Sequence, residues 1–241
     1  MKDQKPQNST PGKKQVVTEM FNGIASRYDF LNHLLSMGID KGWRKKLVKM
    51  AGEDKPNRIL DIACGTGDLS IALAAIKPKT ITGLDIAVNM LEIGKEKVNR
   101  IGLSGLISFV HGDSEKLPFS NGSFNLTTAA FGVRNFENLD KGLSEMHRVL
   151  SPGGRVLILE FSRVDRIPWK WLFNFYFRFI LPTIGRIVSG HNAAYTYLPE
   201  SVGQFPSGQD FLKHLEKAGF VNTTLTALTG GVATIYSGFK K

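Results

Sequence analysis

Residues 59–67 read Ile-Leu-Asp-Ile-Ala-Cys-Gly-Thr-Gly, an apolar run that leads directly into a turn with two glycines. Gly65 and Gly67 allow the backbone to turn tightly and to approach a ligand without an intervening Cβ. Asp85 follows about twenty residues later, where an acid at the end of a second strand can accept hydrogen bonds from both hydroxyls of a ribose. These residues predict a site for a cofactor that contains ribose.

The turn departs from the pattern that binds dinucleotides. That pattern is Gly-x-Gly-x-x-Gly, and Ser70 stands at the place of its third glycine. Asp68 directly follows the turn and puts a negative charge where a pyrophosphate would lie, so NAD is disfavoured. A cofactor with ribose and adenine but no phosphate fits better, and S-adenosylmethionine is such a cofactor. Asp61, in the apolar run before the turn, is included among the candidate cofactor contacts.

Apolar runs alternate with stretches of helical periodicity from residue 58 to the end of the chain. The predicted strands are 59–63, 80–84, 107–110, 124–130, 155–161, 223–228 and 234–238, and the predicted helices are 68–75, 88–101, 139–150 and 209–218. Strands separated by helices imply a parallel, doubly wound α/β sheet. A Rossmann-like sheet of seven strands that ends in a closing pair indicates a class I S-adenosylmethionine-dependent methyltransferase rather than a dehydrogenase.

The length of 241 residues suits one α/β domain with attachments, and two full domains would be cramped. Residues 1–15 are polar and basic, and we expect them to form a disordered tail. Residues 16–241 then form a single domain, with a cap of two or three short helices at 16–50 and an insertion at 163–206 after the fifth strand. Because Cys64 is the only cysteine and the chain starts without a signal-like segment, we expect a reducing, cytoplasmic compartment.

The net charge of +10 is consistent with an anionic partner, either nucleic acid or a lipid surface, and equally with a basic surface that mainly keeps the protein in solution. Aromatic residues crowd together at 169–181, with basic residues on both sides. This stretch is too short and too charged to span a bilayer. It could lie in the headgroup region, line a pocket for an apolar substrate, or pack as an ordinary helix against the sheet.

The chain resembles the menaquinone/ubiquinone biosynthesis C-methyltransferase family, and within it the bacterial enzymes that act on demethylmenaquinone. The stretches that carry the resemblance are 21–36 around Tyr28-Asp29, 65–68 (Gly-Thr-Gly-Asp), 131–135 (Phe-Gly-Val-Arg-Asn), 148–162 ending in Leu-Glu-Phe-Ser, and 194–206 with Tyr-Leu-Pro-Glu-Ser. The glycine turn alone would indicate only a methyltransferase. The other motifs are much narrower, and together they extend over nearly all of residues 16–241.

The resemblance implies transfer of a methyl group from S-adenosylmethionine to a ring carbon of a prenylated naphthoquinol. It assigns cofactor contacts to Thr66 in the turn, to Asp85 at the ribose, and to Asp113 with Ser114 beside the adenine. A carboxylate at the end of the third strand can accept from an exocyclic amine, while a backbone N–H can donate to the ring. The alternative for Asp113 is an ordinary turn residue.

The acceptor carbon must be activated, because a hydroquinone hydroxyl titrates near a phenol, roughly pH 10. Arg134, directly after the fourth strand, is the candidate cation for the resulting oxyanion; alternatively it pairs with a carboxylate of the cap such as Asp29. His191, Tyr195, Tyr28 and Asp29 are candidates for moving the proton. No spacing of His, Cys, Asp or Glu suggests a metal.

Three alternatives remain open from the sequence. The ring methylated could be the benzoquinol intermediate of ubiquinone biosynthesis. The chain could be a non-catalytic, cofactor-binding subunit of a quinone-synthesis complex. A basic methyltransferase could also act on RNA, but the chain has no aromatic-basic motif for RNA, so we expect no nucleic acid. We expect contact with the anionic inner face of the cell membrane, and a homodimer is left open.

Overall fold

The structure is a computed structural model that describes residues 12–36, 38–163 and 193–241, with the backbone alone at 30–35 and 193–196. The strands are β1 (Arg58–Ile62), β2 (Thr80–Asp85), β3 (Ile107–His111), β4 (Phe124–Ala130), β5 (Leu150–Phe161), β6 (Val221–Leu228) and β7 (Ala233–Phe239). The helices are α1 (Lys13–Leu35), α2 (Ile39–Gly52), α3 (Asp68–Leu73), α4 (Val88–Arg100), α5 (Leu139–Val149), α6 (Ala193–Gln204) and α7 (Gln209–Lys217).

The strands form one seven-stranded sheet in the order β3-β2-β1-β4-β5-β7-β6. The strands β1 to β5 are parallel to their neighbours within this group, and β7 is antiparallel to both β5 and β6. The order reverses between β1 and β4, and ligands of open α/β sheets bind at the carboxyl ends of the strands beside such a reversal. The predicted doubly wound α/β sheet with a closing pair is confirmed.

Both faces of the sheet are covered by helices. Leu60 and Ile62 of β1 belong to a hydrophobic cluster with residues of α5 and α7, whereas Ile59 belongs to a cluster with residues of α2, α3 and α4. Neighbouring residues of a strand point to opposite faces, so a strand covered on both sides must be apolar at nearly every position. This explains the continuous apolar run of β1.

The cap differs from its prediction. It consists of one long helix, α1 of 23 residues, followed by α2 of 14 residues. Because α1 begins at Lys13, the last three residues of the predicted tail are helical. Asn22 of α1 accepts a hydrogen bond of 3.0 Å from the backbone N–H of Asn89 and so caps α4, whose own N-cap residue is Ala87. This contact docks α1 beside the carboxyl edge of the sheet.

The fifth strand begins earlier than predicted, at Leu150. The backbone N–H of Gly153 donates to the Lys240 carbonyl at 2.9 Å, and the Lys240 N–H donates to the Gly154 carbonyl at 2.8 Å. Lys240, which follows β7, therefore pairs with the first part of β5. The backbone of β5 turns there at Gly153, where φ is 75°. In the described part of the chain, no helix is both long and apolar enough to cross a membrane.

Candidate active site

A cavity opens at the carboxyl edge of the sheet, where the strand order reverses. It measures about 700 Å³ when the space at its mouth is included. The loops after β1 and β4 contribute Gly65 and Gly132 to its wall, and α1 contributes Val17, Phe21 and Tyr28. Its position matches the place where open α/β sheets bind their ligands.

The two glycines of the turn after β1 serve different purposes. Gly65 has a φ of 55°, and a Cβ on it would lie 3.8 Å from the ring of Tyr28, on the cavity side. Gly67 has a φ of 81°, and a Cβ there would lie 2.7 Å from Cζ of Phe109. Gly65 therefore lies in the cavity wall with a backbone conformation that favours glycine. Gly67 is required for packing against Phe109 and is not among the described residues that line the cavity.

Asp85, the last residue of β2, lines the cavity. Its Oδ2 accepts from the backbone N–H of Gly65 at 2.7 Å, and its Oδ1 accepts from the backbone N–H of Ala87 at 2.8 Å. Burial raises the pKa of Asp85, and these backbone donors oppose the rise. Each carboxylate oxygen has a further lone pair, so Asp85 can hold the glycine turn and a ribose at the same time.

Asp113 and Ser114 line the same cavity beyond β3. Asp113 receives hydrogen bonds from the Glu115 backbone N–H at 2.9 Å and from Nζ of Lys14 at 2.8 Å. Burial favours a higher pKa for Asp113, but the hydrogen bonds from Lys14 and from the Glu115 N–H, together with the positive charge of Lys14, outweigh it and the pKa is lowered. Asp113 therefore presents an ionised acceptor to the cavity, and Lys14 of α1 competes with any ligand amine for it.

The remaining lining fits the adenosyl part of S-adenosylmethionine. Leu84, Ile86 and Met90 supply apolar contacts in the cavity that also contains Asp85 and Asp113. Carboxylates suit hydroxyl and amine donors, and the apolar residues suit the faces of a purine ring. The side chains present therefore fit the cofactor that the sequence predicts.

Two predicted site residues, Thr66 and Asp29, meet each other away from this cavity. The Thr66 hydroxyl donates to Asp29 Oδ1 at 2.5 Å, and Nζ of Lys97 donates to Asp29 Oδ2 at 2.8 Å. Neither Thr66 nor Asp29 is among the described residues that line the cavity. Their contacts join α1, the glycine turn and α4, so the described geometry gives Asp29 a role in positioning α1 rather than in moving a proton.

The same cluster of polar contacts also includes Asp68. Lys97 donates to Asp68 Oδ1 at 2.5 Å, and Arg44 lies 3.8 Å from Asp68 Oδ2. The negative charge of Asp68 is therefore compensated within the fold, and its repulsion of a phosphate is weaker than the sequence alone indicates. The exclusion of a dinucleotide rests instead on the missing third glycine.

Asp61 is fully buried and lies outside the cavity lining. It accepts hydrogen bonds from the hydroxyls of Ser70 at 2.6 Å and Thr128 at 2.9 Å. These bonds join β1 to α3 and β4, so the described contacts of Asp61 are structural. Burial raises its pKa to about 6.

We expect Asp61 to make stability depend on pH. The native pKa is about 6, above the value of roughly 3.9 for an unfolded chain, so its contribution is favourable at low pH and is lost as the pH rises through 6. Asp61→Asn removes this titration. In urea unfolding, the wild type should gain about 1 kcal/mol on the Asn variant between pH 7.5 and pH 5. An unfolding free-energy difference that stays constant over this range would contradict the assignment.

Arg134 is held by Glu160, a residue that was not predicted from the sequence to belong to the site. Its Nη1 lies 2.8 Å from Glu160 Oε1, and its backbone N–H donates to Glu160 Oε2 at 3.3 Å. Both side chains are buried, with 7% of Arg134 and 0% of Glu160 exposed. The alternative pairing of Arg134 with Asp29 is wrong, because Asp29 pairs with Lys97. A glutamate directly after the apolar run 156–159 of the fifth strand was the signal in the sequence.

Two of the sequence motifs, 131–135 and 194–206, contact each other beside the cavity. Nε of Arg134 donates to the Ser201 hydroxyl at 3.3 Å, and the Tyr197 hydroxyl donates to Asn135 Oδ1 at 3.0 Å. Burial raises the pKa of Tyr197. Asn135 lines the cavity, so the start of α6 is anchored to the wall of the predicted cofactor site. His191 and the side chain of Tyr195 lie outside the described part of the chain.

No group of three or more His, Cys, Asp or Glu side chains within residues 12–36, 38–163 and 193–241 is arranged to hold a metal ion.

Known proteins match this chain over almost its whole length. The ubiE/COQ5 methyltransferase family matches residues 9–240. A demethylmenaquinone methyltransferase of Bacteroides fragilis is 43% identical over 237 residues, which cover 98% of this chain and 97% of that protein. The ubiquinone/menaquinone biosynthesis C-methyltransferase UbiE of Geotalea daltonii is 46% identical over 230 residues, which cover 95% of this chain and 97% of that protein.

Solved structures show the same fold at low sequence identity. The cyclase SpnF superimposes with a TM-score of 0.67 at 17% identity, over 95% of this chain and 97% of that one. A SAM-dependent methyltransferase of Aquifex aeolicus gives a TM-score of 0.58 at 18% identity, over 80% of this chain and 89% of that one. These likenesses establish the fold alone. The family match and the curated relatives establish more: the chain belongs to the ubiE/COQ5 methyltransferase family, and it is an S-adenosylmethionine-dependent methyltransferase.

Proposed function

We propose that this enzyme methylates a ring carbon of a prenylated hydroquinone, and that its substrate is demethylmenaquinol. The observation that carries the proposal is the meeting of two motifs beside the cofactor cavity. Asn135, which lines the cavity, accepts from Tyr197, and Arg134, next to Asn135 in the chain, donates to Ser201. Relatives named for demethylmenaquinone share 42–43% of their residues with nearly the whole chain.

S-adenosylmethionine supplies an electrophilic methyl group on a sulfonium. The chain contributes alignment and exclusion of water, which matter most for a displacement that neutralises charge. Asp85 orients the ribose, and Asp113 and Ser114 lie where they can contact the adenine. Val17, Phe21 and Tyr28 of α1 form a largely apolar wall that reduces access of water to the cavity.

The chain must also stabilise the hydroquinone oxyanion, because the anion directs electron density to the adjacent ring carbon. We assign this role to the guanidinium of Arg134, with Glu160 as its positioning residue. On the basis of the sequence, we propose that either His191 or Tyr195 accepts the proton. Asp29 is a weaker candidate, since Thr66 and Lys97 already occupy its carboxylate.

The main alternative is methylation of a benzoquinol. Relatives at 43–46% identity carry names that include ubiquinone as well as menaquinone, and these names support the alternative directly. A polyprenyl tail would place either substrate in a lipid phase, so we propose that the enzyme works from the cytoplasm at the inner face of the membrane. The aromatic stretch 169–181, predicted to contact the tail or the lipid, lies outside the described residues.

A methyl-transfer assay tests the proposal. The full chain is incubated with S-adenosylmethionine radiolabelled in its methyl group and, separately, with demethylmenaquinol, the benzoquinol counterpart, or RNA. We expect label in the naphthoquinol product, less in the benzoquinol product and none in RNA. Preferential labelling of the benzoquinol would select the alternative. Labelled RNA, or cofactor binding without transfer to any acceptor, would overturn the proposal.

A further inference from the structure

The solvent face of α2 carries an uncompensated run of positive charge. Lys41, Lys45, Lys46 and Lys49 are all exposed, and none of them forms an ion pair with a described residue. The only acidic residue of α2, Asp40, is buried and pairs with Arg44 on the opposite side of the helix. The four lysines, which we call the α2 lysine face, therefore present their full charge to the surroundings.

A groove lies next to this face, between α2 and α3. It measures about 640 Å³ with its open mouth included. Lys41 and Lys45 stand at its rim, and Val48, Ala72 and Ala75 form an apolar part of its lining. The one acidic group there, Asp68, is paired with Lys97. Cationic groups above an apolar surface match the phosphate and glycerol of a phospholipid headgroup.

The direction of α2 sets which edge of the sheet its lysines accompany. Nε1 of Trp43, in the first half of α2, donates to Thr229 at 2.8 Å, and its ring packs edge-on against Phe161 at 6.1 Å. Phe161 ends β5, so the first half of α2 lies at the carboxyl edge with the cavity. The Met50 carbonyl, near the other end of α2, accepts at 3.2 Å from Arg155, which lies in the middle of β5 and farther from the carboxyl edge than Phe161.

Other features accompany the lysines at the carboxyl edge. Ile39, the first residue of α2, is 40% exposed and adds an apolar side chain to this end of the helix. Arg163, an exposed basic residue, also lies at this edge, shortly after the end of β5. An exposed aliphatic residue beside cationic side chains is a combination typical of proteins that associate with lipid surfaces.

We propose that the α2 lysine face, with Ile39, docks the enzyme onto an anionic phospholipid bilayer and turns the mouth of the cofactor cavity toward the lipid. The proposal rests on the proposed function, because a prenylated substrate must be collected from a membrane. Lys41 and Lys45, nearest the carboxyl edge, carry most of the attraction. Binding weakens as salt rises toward and beyond 0.1 M, roughly where the screening length falls to 10 Å.

Vesicle co-sedimentation of the full chain tests this docking. We compare vesicles of phosphatidylcholine alone with equimolar phosphatidylcholine and phosphatidylglycerol, using the wild type and Lys41→Gln/Lys45→Gln. The matched control, Lys213→Gln/Lys217→Gln, removes the same charge from exposed lysines of α7 on the other face of the sheet. On the anionic vesicles, neutralising Lys41 and Lys45 should weaken binding about 25-fold, and the control should change it less than about threefold.

Equal weakening by both pairs would mean that net charge alone drives binding, and it would overturn the proposal, as would no weakening by either pair. The proposal would also be overturned if the wild type bound RNA and if neutralising Lys41 and Lys45 abolished that binding without changing the binding to vesicles. Methyl transfer to a short-tailed quinol in neutral detergent separates this inference from the proposed function. That activity should be the same in the wild type and both variants, whereas its absence in the wild type would refute the proposed function and leave the vesicle result standing.

Discussion

Replacing Asp85 with alanine is expected to weaken the binding of S-adenosylmethionine at least tenfold. The variant would lose two charge-assisted hydrogen bonds to the ribose, each worth about 1.5–3 kcal/mol. It would also leave the backbone N–H groups of Gly65 and Ala87 without their acceptor, so the glycine turn becomes less ordered before the cofactor arrives. Complete loss of both ribose bonds, about 3–6 kcal/mol together, would bring the decrease to more than about a hundredfold.

Isothermal calorimetry measures this decrease. Asp210→Ala is the matched control, because Asp210 is an exposed residue of α7 that pairs only with the surface residue Lys213 among the described residues. Asp85→Asn keeps an acceptor oxygen for the turn and loses the charge, so its affinity should fall between wild type and Ala. Unchanged affinity in Asp85→Ala, or binding of NAD as strong as that of S-adenosylmethionine, would refute the cofactor assignment.

Replacing Arg134 with methionine is expected to lower both stability and turnover, and a second substitution should separate the two effects. Glu160 is completely buried, and loss of Arg134 leaves its charge without a cationic partner. Breaking one side of a buried ion pair typically costs about 3–5 kcal/mol. Adding Glu160→Gln removes the stranded charge while keeping an oxygen that can accept from the N–H of Phe161.

We therefore expect Arg134→Met/Glu160→Gln to recover most of the lost unfolding free energy, measured in urea, without recovering turnover. The affinity for S-adenosylmethionine should barely change in the refolded double variant. Arg134→Lys keeps the charge but not the planar fork, so its turnover should lie between wild type and Met. If turnover returned together with stability in the double variant, Arg134 would be a structural residue and not the cation of the oxyanion site.

The sequence by itself determined the local parts of the molecule. The apolar run 124–130 is β4 with the same limits, and α4 and α5 differ from their predicted ranges by a single residue at the end. Such runs are set by periodicity and by turn residues next to them in the chain. The glycine turn with Asp85 was predictable for the same reason, because a strand, a tight turn and an acid at a fixed distance need no knowledge of the other elements.

The motifs predicted the family more reliably than they predicted contacts. The sequence placed Arg134 at the carboxyl edge, and the structure agrees. It did not reveal that the partner of Arg134 is Glu160, which lies in β5, 26 residues further along the chain. Likewise, Thr66 and Asp29 carry family motifs, yet the described side chains face each other and Lys97 instead of the cavity. A motif records that a residue type is needed at a position, but not which atoms it touches.

Only the tertiary structure decided these contacts, because they depend on the order of strands in space. The sequence order of β6 and β7 does not indicate that β7 lies between β5 and β6. Gly67 meets Phe109 only because β3 and α4 pack beside the turn, and Lys97 reaches Asp29 only because α1 crosses α4. Periodicity along a chain fixes which face of an element is apolar, whereas the pairing of distant side chains is set by which elements become neighbours when those faces are buried together.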